Sequence, residues 1–206
     1  MPASFRSMGK AWVKARKHDR FYRAAKKQAY RSRAAIKLSQ IDLRYGLFEA
    51  GDVVVDLGAA PGGWSQVARE RIGPKGRVIA VDLSQMSPIE GVEILRGDFK
   101  RPEVQATLFE TLRKPADVVM SDSAPRVSGN RSLDVARTLD LADAALSFAI
   151  RALRREGRFL VKVFQGDGYR DFVRRVGERF EAMKGVKPSA STTTSAEIYV
   201  LAMGRF

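Results

Sequence analysis

The sequence predicts an α/β domain: a mostly parallel sheet with helices on both faces, preceded by a basic N-terminal arm. Three observations carry this. From Val53 onward, short apolar runs alternate with segments of helical period, the signature of βαβ units. Several of the apolar runs are nearly continuous in Val and Leu, as strands buried on both faces should be. A glycine-rich turn sits between the first strand and the helix after it, where an open α/β sheet binds a nucleotide-like ligand.

The strands read as Val53–Leu57, Arg77–Leu83, Val92–Gly97, Asp117–Ser121, Arg158–Phe164 and Glu197–Met203, and the helices between them as Trp64–Ile72, Asp134–Arg155 and Tyr169–Phe180. The last strand follows a Ser/Thr run and is expected antiparallel, at or near an edge. Before the sheet, Ala34, Leu38, Ile41 and Tyr45 recur at helical spacing across Arg31–Tyr45. Lys37 falls on that same apolar face. A lysine turned towards a core is unusual; either it snorkels, with its stem packed and its head in water, or it has work to do inside.

Composition narrows the function. The 206 residues suit one domain with a short arm. There is no cysteine, which excludes disulfides, thiolate catalysis and cysteine metal sites, and the single histidine, His18, excludes a histidine-rich metal centre. No metal is expected. No apolar run approaches the ~20 residues a membrane helix needs. Net charge is +14, and residues 1–46 hold 13 Lys+Arg against two acids. Such a one-sided run repels itself unless a polyanion neutralises it. Phe5, Trp12, Phe21, Tyr22 and Tyr30 are interleaved with the charges, which favours nucleic acid over a bare solvated face. An Arg-rich, acid-poor start also suits an organelle address. The domain division expected is 1–30 as an RNA-binding arm and 31–206 as the catalytic domain, and a monomer is the default.

The turn reads Asp56-Leu57-Gly58-Ala59-Ala60-Pro61-Gly62-Gly63. It is not a dinucleotide fingerprint, because the second glycine would be Ala60, and no Gly-Lys-Ser/Thr makes it a P-loop. Pro61 removes an N–H that a phosphate cradle would use. Asp56, Asp82, Asp98 and Asp122 lie at or just beyond the ends of neighbouring strands. Each alone could be a turn or cap residue. Four together would repel a pyrophosphate and suit a cationic or hydroxyl-rich ligand. S-adenosylmethionine fits: its sulfonium and amine are positive and its ribose offers two hydroxyls. Asp82 is placed to accept from those hydroxyls, Asp98 to reach the adenine amine, and Asp122 to meet the methionine end.

These residues resemble the FtsJ/RrmJ family of ribose 2'-O-methyltransferases. The likeness rests on Arg31-Ser32-Arg33-Ala34-Ala35-Ile36-Lys37-Leu38, on Val55 through Gln66, on Ser121-Asp122, on Val161-Lys162-Val163-Phe164-Gln165-Gly166 and on Glu197-Ile198-Tyr199, and it runs from about Trp12 to Phe206. The resemblance implies a Rossmann-like S-adenosylmethionine-dependent methyltransferase fold and a catalytic tetrad at Lys37, Asp122, Lys162 and Glu197. It implies cofactor contacts at Gly62, Trp64, Asp82, Asp98 and Asp122. It further implies methylation of a uridine ribose in large-subunit (23S) ribosomal RNA, with the 50S subunit as partner and the cytoplasm as location. The chain departs from the family at Asp122-Ser123-Ala124-Pro125-Arg126, where Arg126 offers an added phosphate contact. Because the arm leads straight into Arg31–Leu38, it reads as part of the enzyme rather than a removable address.

The chemistry wants these residue types. A ribose hydroxyl must lose its proton to attack, and in-line displacement at a sulfonium methyl rewards positioning. Lys162, on the apolar strand Leu160-Val161-Lys162-Val163-Phe164, is the candidate base; Asp122 can orient it, and Glu197 can hold Lys37 or the ribose. Remaining readings are a sister enzyme acting on transfer RNA or a messenger cap, a non-catalytic ribosome-assembly factor on the same scaffold, and a domain for another nucleoside.

Overall fold

The computed structural model describes residues 29–125, 128–192 and 195–206. The basic arm up to residue 28, with His18 and four of its five aromatics, lies outside the described residues, as does Arg126.

Helix α1 (Ala34–Tyr45) precedes strand β1 (Val53–Leu57), followed by α2 (Gly63–Ile72), β2 (Arg77–Asp82), β3 (Val92–Arg96), α3 (Pro102–Leu112), β4 (Ala116–Ser121), α4 (Arg131–Ala152), β5 (Leu153–Phe164), α5 (Tyr169–Gly177), β6 (Phe180–Val186) and β7 (Glu197–Arg205). They form one seven-stranded sheet in the order β3-β2-β1-β4-β5-β7-β6. β7 runs antiparallel between β5 and β6, and the other pairings of the sheet are parallel. The expected mostly parallel α/β sheet is therefore present, with the last strand one place in from the edge.

Strand alternation sends side chains to two cores. Val53, Val55 and Leu57 face α3, α4 and α5, while Val54 joins Leu38, Ile41, Trp64, Val67 and Tyr199 under α1 and α2. The strand order reverses at β1 and β4, so a crevice opens at their carboxyl ends.

Two elements were not legible as such. α3 starts on Pro102, a favoured first helical position, but buries only Leu108 and Leu112, too thin a stripe to announce itself. β6 is half-exposed with no alternating pattern. Its start at Phe180 shortens the helix expected over Tyr169–Phe180, which ends at Gly177. The long helix runs over Arg131–Ala152 rather than Asp134–Arg155. Asn130 caps its start by accepting from the Leu133 N–H, and Leu153–Arg155 already belong to β5. Among the described residues no helix is long and apolar enough to cross a membrane.

Candidate active site

The glycine turn joins β1 to α2. Gly58 has φ +72°, and a Cβ there would lie 1.8 Å from Ser123 Oγ. Only glycine lets the β1 and β4 exits approach this closely. Gly62 is the left-handed N-cap of α2, φ +106°, with Ile89 and Arg31 packed where a side chain would go. It shapes the turn from behind, whereas Gly58 and Ala60 form the wall of the cleft beside it. Arg31 fastens the turn from outside, donating to the carbonyls of Pro61, Ser87 and Pro88 at 3.3, 2.7 and 2.6 Å.

That cleft holds about 720 Å³, and Asp82, Asp98 and Asp122 lie on its walls. The Asp82 carboxylate is fixed by the N–H groups of Ala60 (3.0 Å) and Ser84 (2.7 Å). Asp98 Oδ1 accepts from the Lys100 N–H at 3.0 Å. A cavity of about 110 Å³ adjoins it, sharing Gly58, Ala60 and Asp122 and adding Trp64 and Asp56. Trp64 is buried; its indole N–H donates to the Ala34 carbonyl at 2.9 Å and its ring lies 5.7 Å from that of Tyr199.

Asp56 is the unusual member. It is 1 % exposed, Ser65 Oγ donates to its Oδ2 at 2.6 Å, and its buried Oδ1 has no partner. Burial pushes its carboxyl up to about 7, against the Ser65 hydrogen bond and with help from the charges of Asp122 and Asp82. A buried carboxyl with an open oxygen, beside three further carboxylates, is a donor set for a cation with amine and hydroxyl groups.

The four residues Lys37, Asp122, Lys162 and Glu197 come together as two linked pairs. Lys37 Nζ lies 2.5 Å from Glu197 Oε1, both nearly buried. Lys162 Nζ lies 3.0 Å from Asp122 Oδ1 and also donates to the Asp122 carbonyl. Burial alone would lift Glu197, but Lys37, Lys162 and a hydrogen bond from Ser191 outweigh it and hold the carboxyl below its ordinary range. Lys37 is thus neither a snorkelling lysine nor a solvated one: it is 6 % exposed and paired.

Tyr199 is the member that sequence reasoning passed over. It is fully buried, pairs with Lys162 across the β5–β7 ladder, and donates its hydroxyl to Asp122 Oδ1 at 2.8 Å. Lys37 Nζ sits 5.8 Å from its ring centroid. Burial, with the charges of Asp122 and Glu197, pushes its hydroxyl well above the ordinary range, so it stays a donor. The available signal was the two-residue spacing from Glu197, which puts both on one face of β7.

Comparison with known proteins decides the family. The FtsJ-like methyltransferase family matches residues 30–205. The chain belongs to this family. Proteins named ribosomal RNA large subunit methyltransferase E are similar to it over nearly its whole length. The protein from Methanocella arvoryzae is 50% identical over 92% of this chain and 73% of its own. The one from Nitrosospira multiformis is 48% identical over 95% of this chain and 96% of its own. Among solved structures, a ribosomal RNA methyltransferase from Plasmodium falciparum, named as putative, superimposes with a TM-score of 0.78 at 28% identity, covering 85% of this chain and 98% of that one.

Proposed function

We propose that the protein transfers a methyl group from S-adenosylmethionine to the 2'-hydroxyl of a uridine in 23S ribosomal RNA of the assembled 50S subunit. The observation that carries the reading is the convergence of the Lys37–Glu197 and Lys162–Asp122 pairs beside a carboxylate-walled cleft, with every member supplied by one chain. The names of the similar proteins support the large ribosomal subunit as acceptor.

In this reading the cleft holds the donor: Asp82 takes ribose hydroxyls, Asp98 the adenine amine, and Asp122 the methionine end, with Gly62 and Trp64 shaping the turn. Bound there, S-adenosylmethionine supplies an electrophilic methyl on a sulfonium. Lys162, in its neutral form, accepts the proton of the 2'-hydroxyl as the oxygen attacks. Asp122 holds Lys162 through Oδ1 and its carbonyl, and Tyr199 holds Asp122. Glu197 anchors Lys37, whose ammonium orients the acceptor ribose and stabilises the developing alkoxide. The basic arm, residues 1–30, contacts RNA phosphates, and Arg126 adds to it. The enzyme works as a monomer, in the cytoplasm where its acceptor is.

The test is methyl transfer from labelled S-adenosylmethionine to large subunits from cells lacking the gene, with the product mapped by mass spectrometry. A 2'-O-methyluridine in 23S RNA is expected, lost in Lys162→Ala with donor binding kept. Methyl on a base, transfer to transfer RNA or a messenger cap instead, or full turnover by Lys162→Ala would each overturn the reading. RNA affinity should fall steeply with salt, as phosphate contacts require.

A further inference from the structure

A second groove, of about 480 Å³, opens between the start of α4 and the facing ends of β5 and β7. It shares no wall residue with the donor cleft. Phe164 and Gln165 of its wall lie two and three residues past Lys162, and Ser195 and Ala196 immediately precede Glu197. At about 3.3 Å per strand residue, this wall begins within about 7 Å along the chain of the proposed base.

The groove is held in shape. The Gln165 N–H donates to the Ala196 carbonyl at 2.8 Å, continuing the β5–β7 ladder past its last strand residue. Gly166 lets the chain turn against α4, since a Cβ there would meet Val135 Cγ2 at 2.9 Å. Asp134, buried at the groove's side, accepts from both the N–H and the hydroxyl of Ser128 at 2.8 Å. Its charge is thereby spent on the loop that leads to Arg131. What the groove offers is a half-buried ring in Phe164, an exposed side-chain amide in Gln165 and an exposed guanidinium in Arg131.

We infer that this groove receives an unstacked base of the acceptor RNA, at or next to the methylated ribose. The inference rests on the proposed ribose methylation and adds the acceptor's seat to it. Proteins that single out one nucleotide of a folded RNA take it unstacked, and hold its base on an aromatic or guanidinium face with a hydrogen-bonding side chain reading the base edge. Phe164 supplies the face, Gln165 the edge contact and Arg131 a phosphate or stacking contact. Donor and acceptor base then occupy separate cavities that share no wall residue.

The experiment compares wild type with Phe164→Leu, Arg131→Ala and Gln165→Ala in methyl transfer to large subunits from cells lacking the gene, and measures S-adenosylmethionine binding by calorimetry. Arg131 and Gln165 are exposed, so their variants keep the fold, and leucine keeps apolar bulk at 164. Loss of one stacked base predicts a KM for subunits raised about tenfold in Phe164→Leu, with smaller rises in the other two and donor affinity unchanged. Unchanged subunit KM in all three, or a parallel loss of donor affinity, overturns the assignment. A wild type that methylates no RNA overturns the proposed function itself, and the groove's role with it. Photocrosslinking a 4-thiouridine RNA to the wild type gives an independent readout: adducts on Phe164 or Gln165 support the groove, and adducts only elsewhere reject it.

Discussion

Replacing Asp56 by asparagine tests whether the crevice holds a protonated carboxyl. In the fold its carboxyl is pushed up to about 7 from an ordinary 3.8, chiefly by burial. Below the ordinary value both folded and unfolded chains carry the proton. As pH rises from about 4 to 7 the unfolded chain releases it while the folded chain keeps it, so stability falls across that window and levels off above it. Three pH units at 1.36 kcal/mol each give about 4 kcal/mol. Asparagine resembles the protonated form, keeps an oxygen for the Ser65 hydroxyl and does not titrate. Denaturant midpoints of both proteins, without donor, at pH 4 and pH 8 measure the effect. The wild type should lose about 4 kcal/mol relative to Asp56→Asn over that range. Parallel pH profiles would show that Asp56 ionises freely, and the account of the small cavity as a place where burial outweighs hydration would fail.

Other consequences are more direct. Tyr199→Phe removes a hydrogen bond to a charged carboxylate, worth about 1.5–3 kcal/mol, while keeping the ring. Transfer rate should fall roughly tenfold or more with donor affinity held, as steady-state kinetics and calorimetry would show. Gly58→Ala puts a Cβ 1.8 Å from Ser123 Oγ at a left-handed φ, so the β1 and β4 exits must part; calorimetry should find donor affinity severely reduced in a protein that still folds. Arg158 is buried with Asp52, its Nη2 at 3.1 and 2.9 Å from the two carboxylate oxygens, at the end of the sheet away from the site. Arg158→Ala strands that carboxylate and should cost about 3–5 kcal/mol in denaturant unfolding, with activity per folded molecule retained.

How far the site was legible depends on what encodes each part. The parallel strands announce themselves because burial on both faces demands continuous Val and Leu, and Lys162 stands out inside such a run. Lys37 was visible as a cation on an apolar helix face, but its partner Glu197 is 160 residues away, a distance no periodicity spans. Asp56 could be read as one strand-end acid among four. That it is the buried one, with an open oxygen, follows from Ser65 in the first turn of α2 and from the close approach of β4, both tertiary facts. Tyr199 reads as an ordinary strand aromatic until the ladder sets it opposite Lys162. α3 and β6 escaped because each buries so little that tertiary context, not pattern, decides its form.

The charges of the site bear on how a lysine would serve as the proposed base, where a histidine is the usual choice. Without ligand the two ammonium groups and two carboxylates balance pair by pair. In the proposed reaction a donor cation beside Asp122 would add one positive charge to a crevice already neutral in those pairs. S-adenosylmethionine held there would supply the methyl from its sulfonium, and Lys162 would take up the hydroxyl proton. One positive charge would thus pass from the donor to Lys162, the sum over donor, acceptor and tetrad staying the same, and Asp122, already fixed beside Lys162, is in place to receive it, the condition under which fixed electrostatics lower a barrier most. A neutral histidine would offer one N–H, whereas a lysine acting as base keeps two, enough to hold both the carboxylate and the carbonyl oxygen of Asp122 while it waits for the proton.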